Sequence, residues 1–362
     1  MNRLSAIDAI GPAFTRVGTM LFSPFRFRTW LKMGFIGWLG GGLVTASGGN
    51  SSLRSAFPHR IPQGQLPPEA GDITRIFRSI HLADYFHFIV IAIACAIVLG
   101  LIFQYLFCRF RFILFDSIIT GQPVIGRGWR NYASQANRYF GFWLVFRLVS
   151  WAAVVVIVGI PVWHAYKNGA FNGDNSLSEF IGVIASIALT ALASAIVFAV
   201  VSTLMKDFVM PVLALDDLPL GDAWSAVWRV VASEPGAWAG YMAMKVVCAI
   251  GAAVTLAIAM VVALLPALIV IGIPVGLVFG VGALAFKTLG ASVGIAICVV
   301  GALLAAVGFF SIFLVLSAPI SVFFASYAFY FFGGRYPKLA ALLWPQPSPP
   351  APQSHTLGTQ PA

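Results

Sequence analysis

Residues 238–265 read WAGYMAMKVVCAIGAAVTLAIAMVVALL, and the twenty positions after Lys245 carry no charged side chain. A helix rises about 1.5 Å per residue, so twenty such positions cover about 30 Å, the thickness of a bilayer's hydrocarbon core. Working outward from this stretch, Phe88–Cys108, Phe140–Trp163, Phe180–Met205 and the run from Leu289 past Ser317 have the same length and character, and a shorter sixth segment covers Trp30–Ser47. The fold expected is therefore an all-α polytopic transmembrane helical bundle of six spans.

Pro266–Phe286 is also apolar and reads either as a seventh span or as a hydrophobic hairpin that dips in without crossing. Charge placement decides between the counts. With six spans and the N-terminus cytoplasmic, sixteen of the 22 Lys and Arg residues fall on the cytoplasmic side, as the positive-inside bias requires. A seventh crossing would move Arg335 and Lys338 outside and fits slightly worse. The expectation is six spans in a cell membrane, the inner membrane of the cell, with both termini cytoplasmic.

Composition excludes other classes. Of the 362 residues 60% are hydrophobic and 9% charged, where a soluble domain has about a quarter of its residues charged. Mean hydropathy is +0.92. The excess of 22 basic over 12 acidic side chains gives +10, which suits anionic lipid headgroups at the flanks of spans. No basic patch interleaved with aromatics stands apart from the spans, so nucleic acid is not an expected partner. Cys95, Cys108, Cys248 and Cys298 show no CxxC spacing and read as small packing residues.

Residues 1–29 form an expected cytoplasmic interfacial helix, because Ile7, Ile10, Phe14, Val17 and Leu21 share one helical face, although Gly11 and Pro12 weaken it. Asp8, Arg16, Arg26 and Arg28 precede the first apolar stretch, which argues against a cleavable signal peptide. The transmembrane domain covers 30–343, with a Ser-, Pro- and Gly-rich outer loop at about 48–85. Residues 344–362 have the composition of a disordered Pro-rich tail.

An internal repeat is the most informative feature. Residues 129–141, WRNYASQANRYFG, align without gaps on 228–240, WRVVASEPGAWAG, with five identities. Each copy follows a span, an acidic residue and a Gly/Pro turn, and leads into the next span. The repeated motifs run over about 109–147 and 207–246. A Trp-Arg pair suits the membrane boundary, where indole lies at headgroup depth and guanidinium meets phosphate. The candidate groove for a lipid headgroup or other anion takes Arg109, Arg111, Asp116, Trp129 and Arg130 from the first copy. From the second it takes Asp207, Asp216, Asp217, Trp228 and Arg229.

The stretches LFSPFRFRTWLKMGFIGWLGGG at Leu21, CRFRFILFDSIITGQPVIGRGWRNYASQANRYFGFWLVFRLV at Cys108 and DFVMPVLALDDLPLGDAWSAVWRVVASEPGAWAGYMAMKVV at Asp207 carry a resemblance, with a weaker one at SAPISVFFASYAFYFFGG from Ser317. They resemble an uncharacterised family of multi-pass bacterial membrane proteins, loosely similar to the membrane domain of glycerophosphodiester phosphodiesterases. The resemblance covers about a third of the chain. It implies a topology and no reaction, since that domain lies apart from the catalytic barrel.

Catalytic signatures are weak. Gly290-Ala291-Ser292-Val293-Gly294 matches GxSxG, which exposes a nucleophilic serine in some hydrolases, but it lies at the start of an apolar span. His59, His81, His87 and His164 are the histidines that could serve such a serine from the outer side. No HExxH, Walker A or dinucleotide fingerprint occurs, so no cofactor or metal is expected. Arg147 and Lys245 lie within about two turns of a boundary and are expected to snorkel. No acidic residue is central in a span, which argues against a proton-coupled transporter. Gly272/Gly276/Gly280, Gly37/Gly41 and Gly236/Gly240 have small-xxx-small spacing, suited to helix packing within the chain or to a homo-oligomer. The leading expectation is a non-enzymatic, lipid-handling, permease-like or assembly component. A transporter with a central pathway and an intramembrane serine hydrolase are the rivals.

Overall fold

The computed structural model describes residues 3–41, 82–167 and 177–344. Most of the outer loop, the tail from residue 345 and the end of the Trp30–Ser47 segment lie outside the described residues. Every regular element among those described is helical.

Two short helices open the chain: α1 (Ile10–Leu21) and α2 (Phe27–Leu39). Next come α3 (Leu82–Thr120), the short α4 (Ile125–Asn131) and α5 (Ala133–Lys167). The third group is α6 (Leu177–Leu204), a π turn at Met205–Val209, α7 (Met210–Asp216), α8 (Leu220–Ser233) and α9 (Pro235–Ala267). A second π turn at Leu268–Gly272 joins α9 to α10 (Ile273–Thr288), followed by α11 (Ala291–Gly333) and α12 (Pro337–Leu343). Long helical runs flank a shorter helix twice, α4 between α3 and α5, and α8 between the continuous run of α6, π turn and α7 and the following α9.

Both π turns have a cause in the sequence. A proline stands two residues past each, Pro211 and Pro274, and has no N–H to return to the carbonyl four residues back, on Asp207 and Val270. The regular ladder breaks there and the wider turn takes up the slack.

Among the described residues, five helical runs are long and apolar enough to cross a membrane: His87–Thr120, Ala133–His164, Ile184–Asp216, Pro235–Thr288 and Ala291–Gly333. The fold is thus the expected all-α polytopic bundle, with two differences in the count. First, α2 has 13 residues and reaches only about 20 Å, too short to cross as described. Second, Pro266–Phe286 is neither a separate crossing nor a hairpin by itself. It continues α9 through the π turn as one 54-residue run, and the chain reverses only at Gly290, whose φ of +101° suits glycine. At 1.5 Å per residue this run is roughly 80 Å long, more than twice the hydrocarbon thickness.

The core lies at one end of the bundle. There α11 packs on α1, α2, α9 and α12, and the ends of α3, α5 and α7 close around it. Phe208 meets the rings of Trp238, Tyr241 and Phe332 at 4.5, 5.1 and 5.3 Å. Close backbone approach makes small residues obligatory: a side chain on Gly34 would strike the backbone of Leu314, and one on Gly37 would strike Ser321. Away from this end, α10 packs on α11 and has no other substantial neighbour besides the π turn.

In α1 the buried stripe is Ala13, Val17, Met20 and Leu21, while Ile7 and Phe14 are exposed, so the packed face is rotated from the expected one.

Candidate functional site

Polar groups converge where the first π turn meets α3, α9 and the end of α2. Asp207, on the π turn, is 2% exposed and surrounded by donors. Its Oδ1 accepts from Arg111 Nη2 of α3 at 3.2 Å. Its Oδ2 accepts from the Tyr241 hydroxyl at 2.9 Å and from Lys245 Nζ, both on α9. Arg111 also donates to the carbonyls of Gly40 and Lys206, each at 3.1 Å. This network ties four chain segments together in the interior, where further hydrogen bonds to the ionic groups offset the cost of removing them from water.

Lys245 therefore does not snorkel as expected. It is buried and paired, because Asp207 offers a carboxylate at the same depth and the side chain has no need to reach water. The expectation is that no acidic residue is central in a span, and Asp207 stands off-centre, about nine residues before the end of the apolar run Ile184–Asp216, where it is buried. Arg147 is exposed.

The other candidates fall into two further groups. On the first unit, Arg109 donates to the Tyr105 hydroxyl (2.8 Å) and the Trp129 carbonyl (3.2 Å), and its guanidinium lies 5.0 Å from the centre of the Trp129 ring. Asp116 accepts from Arg127 Nε at 3.0 Å, and Arg130 is exposed. These contacts pin α4 onto α3. Arg16 of α1 adds a bond from Nε to the Ile118 carbonyl at 3.1 Å, meeting an otherwise unpaired acceptor near the end of α3. Burial, and secondarily the nearby Asp116 carboxylate, raise the Tyr132 phenol above its ordinary pKa.

On the second unit, Asp216 accepts from Tyr336 and Lys338, and exposed Asp217 pairs with Arg138 at 3.2 Å. Trp228 and Arg229 are exposed on α8. Arg229 borders a recess of about 320 Å³ lined also by Val212, Ala226, Val230, Phe332 and Tyr336. That volume lies at the small end of the usual range for ligand sites. Nearby, Glu234 joins Arg3 and Arg335, and Arg335 donates to the Leu4 carbonyl at 3.0 Å, so the two described ends of the chain meet. Burial, then the neighbouring Arg3, lowers the pKa of Arg335.

The GxSxG string has a packing explanation. Gly290 makes the turn into α11, and a side chain on Gly294 would lie 2.5 Å from Phe286 Cβ. Ser292 stands on the exposed first turn of a helix, with no strand-to-helix elbow beneath it. Among the small-residue pairs, Gly37 and Gly41 meet Ser321 and Phe107, whereas Gly236, Gly240, Gly276 and Gly280 have open space around them.

Sequence reasoning selected Arg111 and Asp207 but missed Tyr241, Lys245 and Lys206. One signal was available: Asp207 stands about nine residues before the end of one apolar run, and Lys245 about ten after the start of the next, so the two reach similar depth.

This geometry defines an all-helical, polytopic membrane protein with an ion-paired core at one end. The chain belongs to a family of unknown function (DUF7544), whose model matches residues 4–342. No curated protein and no solved structure matches it.

Proposed function

We propose that this protein is a non-enzymatic, lipid-handling component of the cell membrane, with both termini cytoplasmic, and that it holds an anionic headgroup at the second of two related units. The observation that carries the reading is the recess beside α8, whose walls are apolar except for the exposed Arg229 and the Tyr336 edge. A guanidinium above an apolar wall suits a phosphate attached to acyl chains.

Comparison of the two units supports this choice. In the first, Arg109 covers the face of Trp129 and Trp129 is half-buried; in the second, Trp228 is bare and Arg229 has no carboxylate partner among the described ion pairs. The first unit fills its own Trp-Arg site and the second leaves it open.

Mass spectrometry of the protein released from native lipid tests the proposal. Anionic phospholipid should accompany the wild type and fall several-fold in Arg229→Ala. Equal retention in the variant removes the site.

A transporter reading has its own support in a buried carboxylate on a π turn within a span, since such turns and intramembrane charges are frequent at functional sites. It predicts flux that disappears in the Arg130→Ala/Arg229→Ala double variant; unchanged flux counts against it.

A further inference from the structure

Around Asp207, donors and positive charges outnumber acceptors. Arg111, Lys206 and Lys245 gather about one carboxylate, whose oxygens are already taken by Arg111, Lys245 and Tyr241. Lys206 has no carboxylate partner among the described ion pairs; its ammonium lies 5.2 Å from the ring centre of Trp143 and 5.7 Å from that of Phe107. Arg147 stands one turn beyond Trp143 on the same face of α5.

Two fully buried donors nearby have no acceptor, Arg111 Nε and the Tyr139 hydroxyl, and the Trp143 indole N–H has only the Tyr139 oxygen to approach. Tyr139 is 0% and Arg111 2% exposed. Tyr139 and Trp143 lie on one face of α5, one turn apart, and their rings meet edge-on at 6.1 Å. Proteins rarely leave several buried donors unanswered in one place, and a formal surplus of two positive charges in a weakly polar interior is costly. One added acceptor of negative charge would answer both.

We propose that Lys206 and Arg147, backed by Tyr139 and Trp143, form a second site that binds a phosphate group at membrane depth, between α3, α5 and the π turn. Lys206 stands about ten residues, roughly 15 Å of helix, before the end of α7, so a ligand there lies deeper than one at Arg229. The cation–π contacts hold the ammonium in place without neutralising it, which keeps its charge for the ligand. Two sources share this chemistry: the headgroup of an anionic phospholipid entering sideways from the bilayer, and free inorganic phosphate.

The full-length protein in nanodiscs of neutral lipid tests the site with two probes, phosphatidic acid added to the bilayer and radiolabelled inorganic phosphate added to the buffer. In an Arg229→Ala background, which removes the site proposed beside α8, saturable binding of either probe is expected, weakened at least tenfold by Lys206→Met and largely restored by Lys206→Arg. Binding of phosphatidic acid alone assigns the lipid as source, and binding of inorganic phosphate alone assigns the free ion. Tyr139→Phe, which removes one hydroxyl and keeps the packed ring, should weaken binding several-fold and serves if Lys206→Met fails to fold. No saturable binding of either probe overturns the proposal. So does binding that is indifferent to Lys206→Met and Tyr139→Phe.

Discussion

The two halves of α3 invert the soluble-protein rule. Phe88–Phe103 is aliphatic and aromatic, without a charge, and its side chains are exposed; Cys108–Ile118 contains Arg109, Arg111 and Asp116 and is buried throughout. The same contrast recurs along α9, where Trp238, Tyr241 and Lys245 are buried while Val246–Leu265 is largely exposed. Acyl chains cover an oily helix as well as protein does, so the apolar halves gain little by packing on each other. Charged and aromatic polar groups have no such alternative cover, and the chain folds around them.

Asp207→Ala should discriminate most strongly between the halves. It leaves Arg111 and Lys245 as buried, unpaired cations, for a loss of about 3–5 kcal/mol. Denaturation in mixed micelles would measure it, and a loss below 1 kcal/mol would mean that the ionic network does not hold this end together. Gly34→Val comes next. Its side chain would meet the Leu314 backbone, which cannot swing aside, so about 1–3 kcal/mol should be lost as α2 moves off α11. Removing the hydroxyl in Tyr241→Phe takes one hydrogen bond from a charged acceptor while keeping the ring stacked on Tyr327, at a cost of about 1.5–3 kcal/mol.

On the exposed half, Val261→Ala should change stability by less than about 0.5 kcal/mol, since Val261 is 68% exposed. A large loss there would show that a second protein surface, rather than lipid, covers α9. The smallest effect is a pH dependence at Tyr132. Its raised folded pKa means that folding favours the neutral phenol, so its contribution is complete below the unfolded value near 10 and declines as pH rises through the folded value. Tyr132→Phe should flatten the alkaline end of a melting-temperature profile, and an unchanged alkaline slope would place the titration elsewhere.

Particular residues show how far the sequence could be read. The apolar runs gave the helical class and most of the spans, because a twenty-residue run without charge has few places to go. The Trp-Arg pairs pointed to the two short helices between long ones. The site was legible only in part: Arg111 and Asp207 stood out as charges beside spans, but Lys245 looked like a snorkelling residue. Its partner lies 38 positions away, on a neighbouring helix. The continuous run from α9 into α10 was also hidden. Pro266–Phe286 reads as a seventh span or a hairpin, although a π turn lets the helix pass Pro274 without reversing.

By itself, then, the sequence determined the solvent: composition and run length made hydrocarbon the surroundings of these helices, since burial from water depends on the number of apolar side chains and hardly on their order. Which charges face each other, and which of two similar Trp-Arg units is covered by its own arginine, was decided only by tertiary structure. Those outcomes depend on rotation and depth of one helix against another, and a shift of a single residue turns a side chain by about 100° around the helix axis.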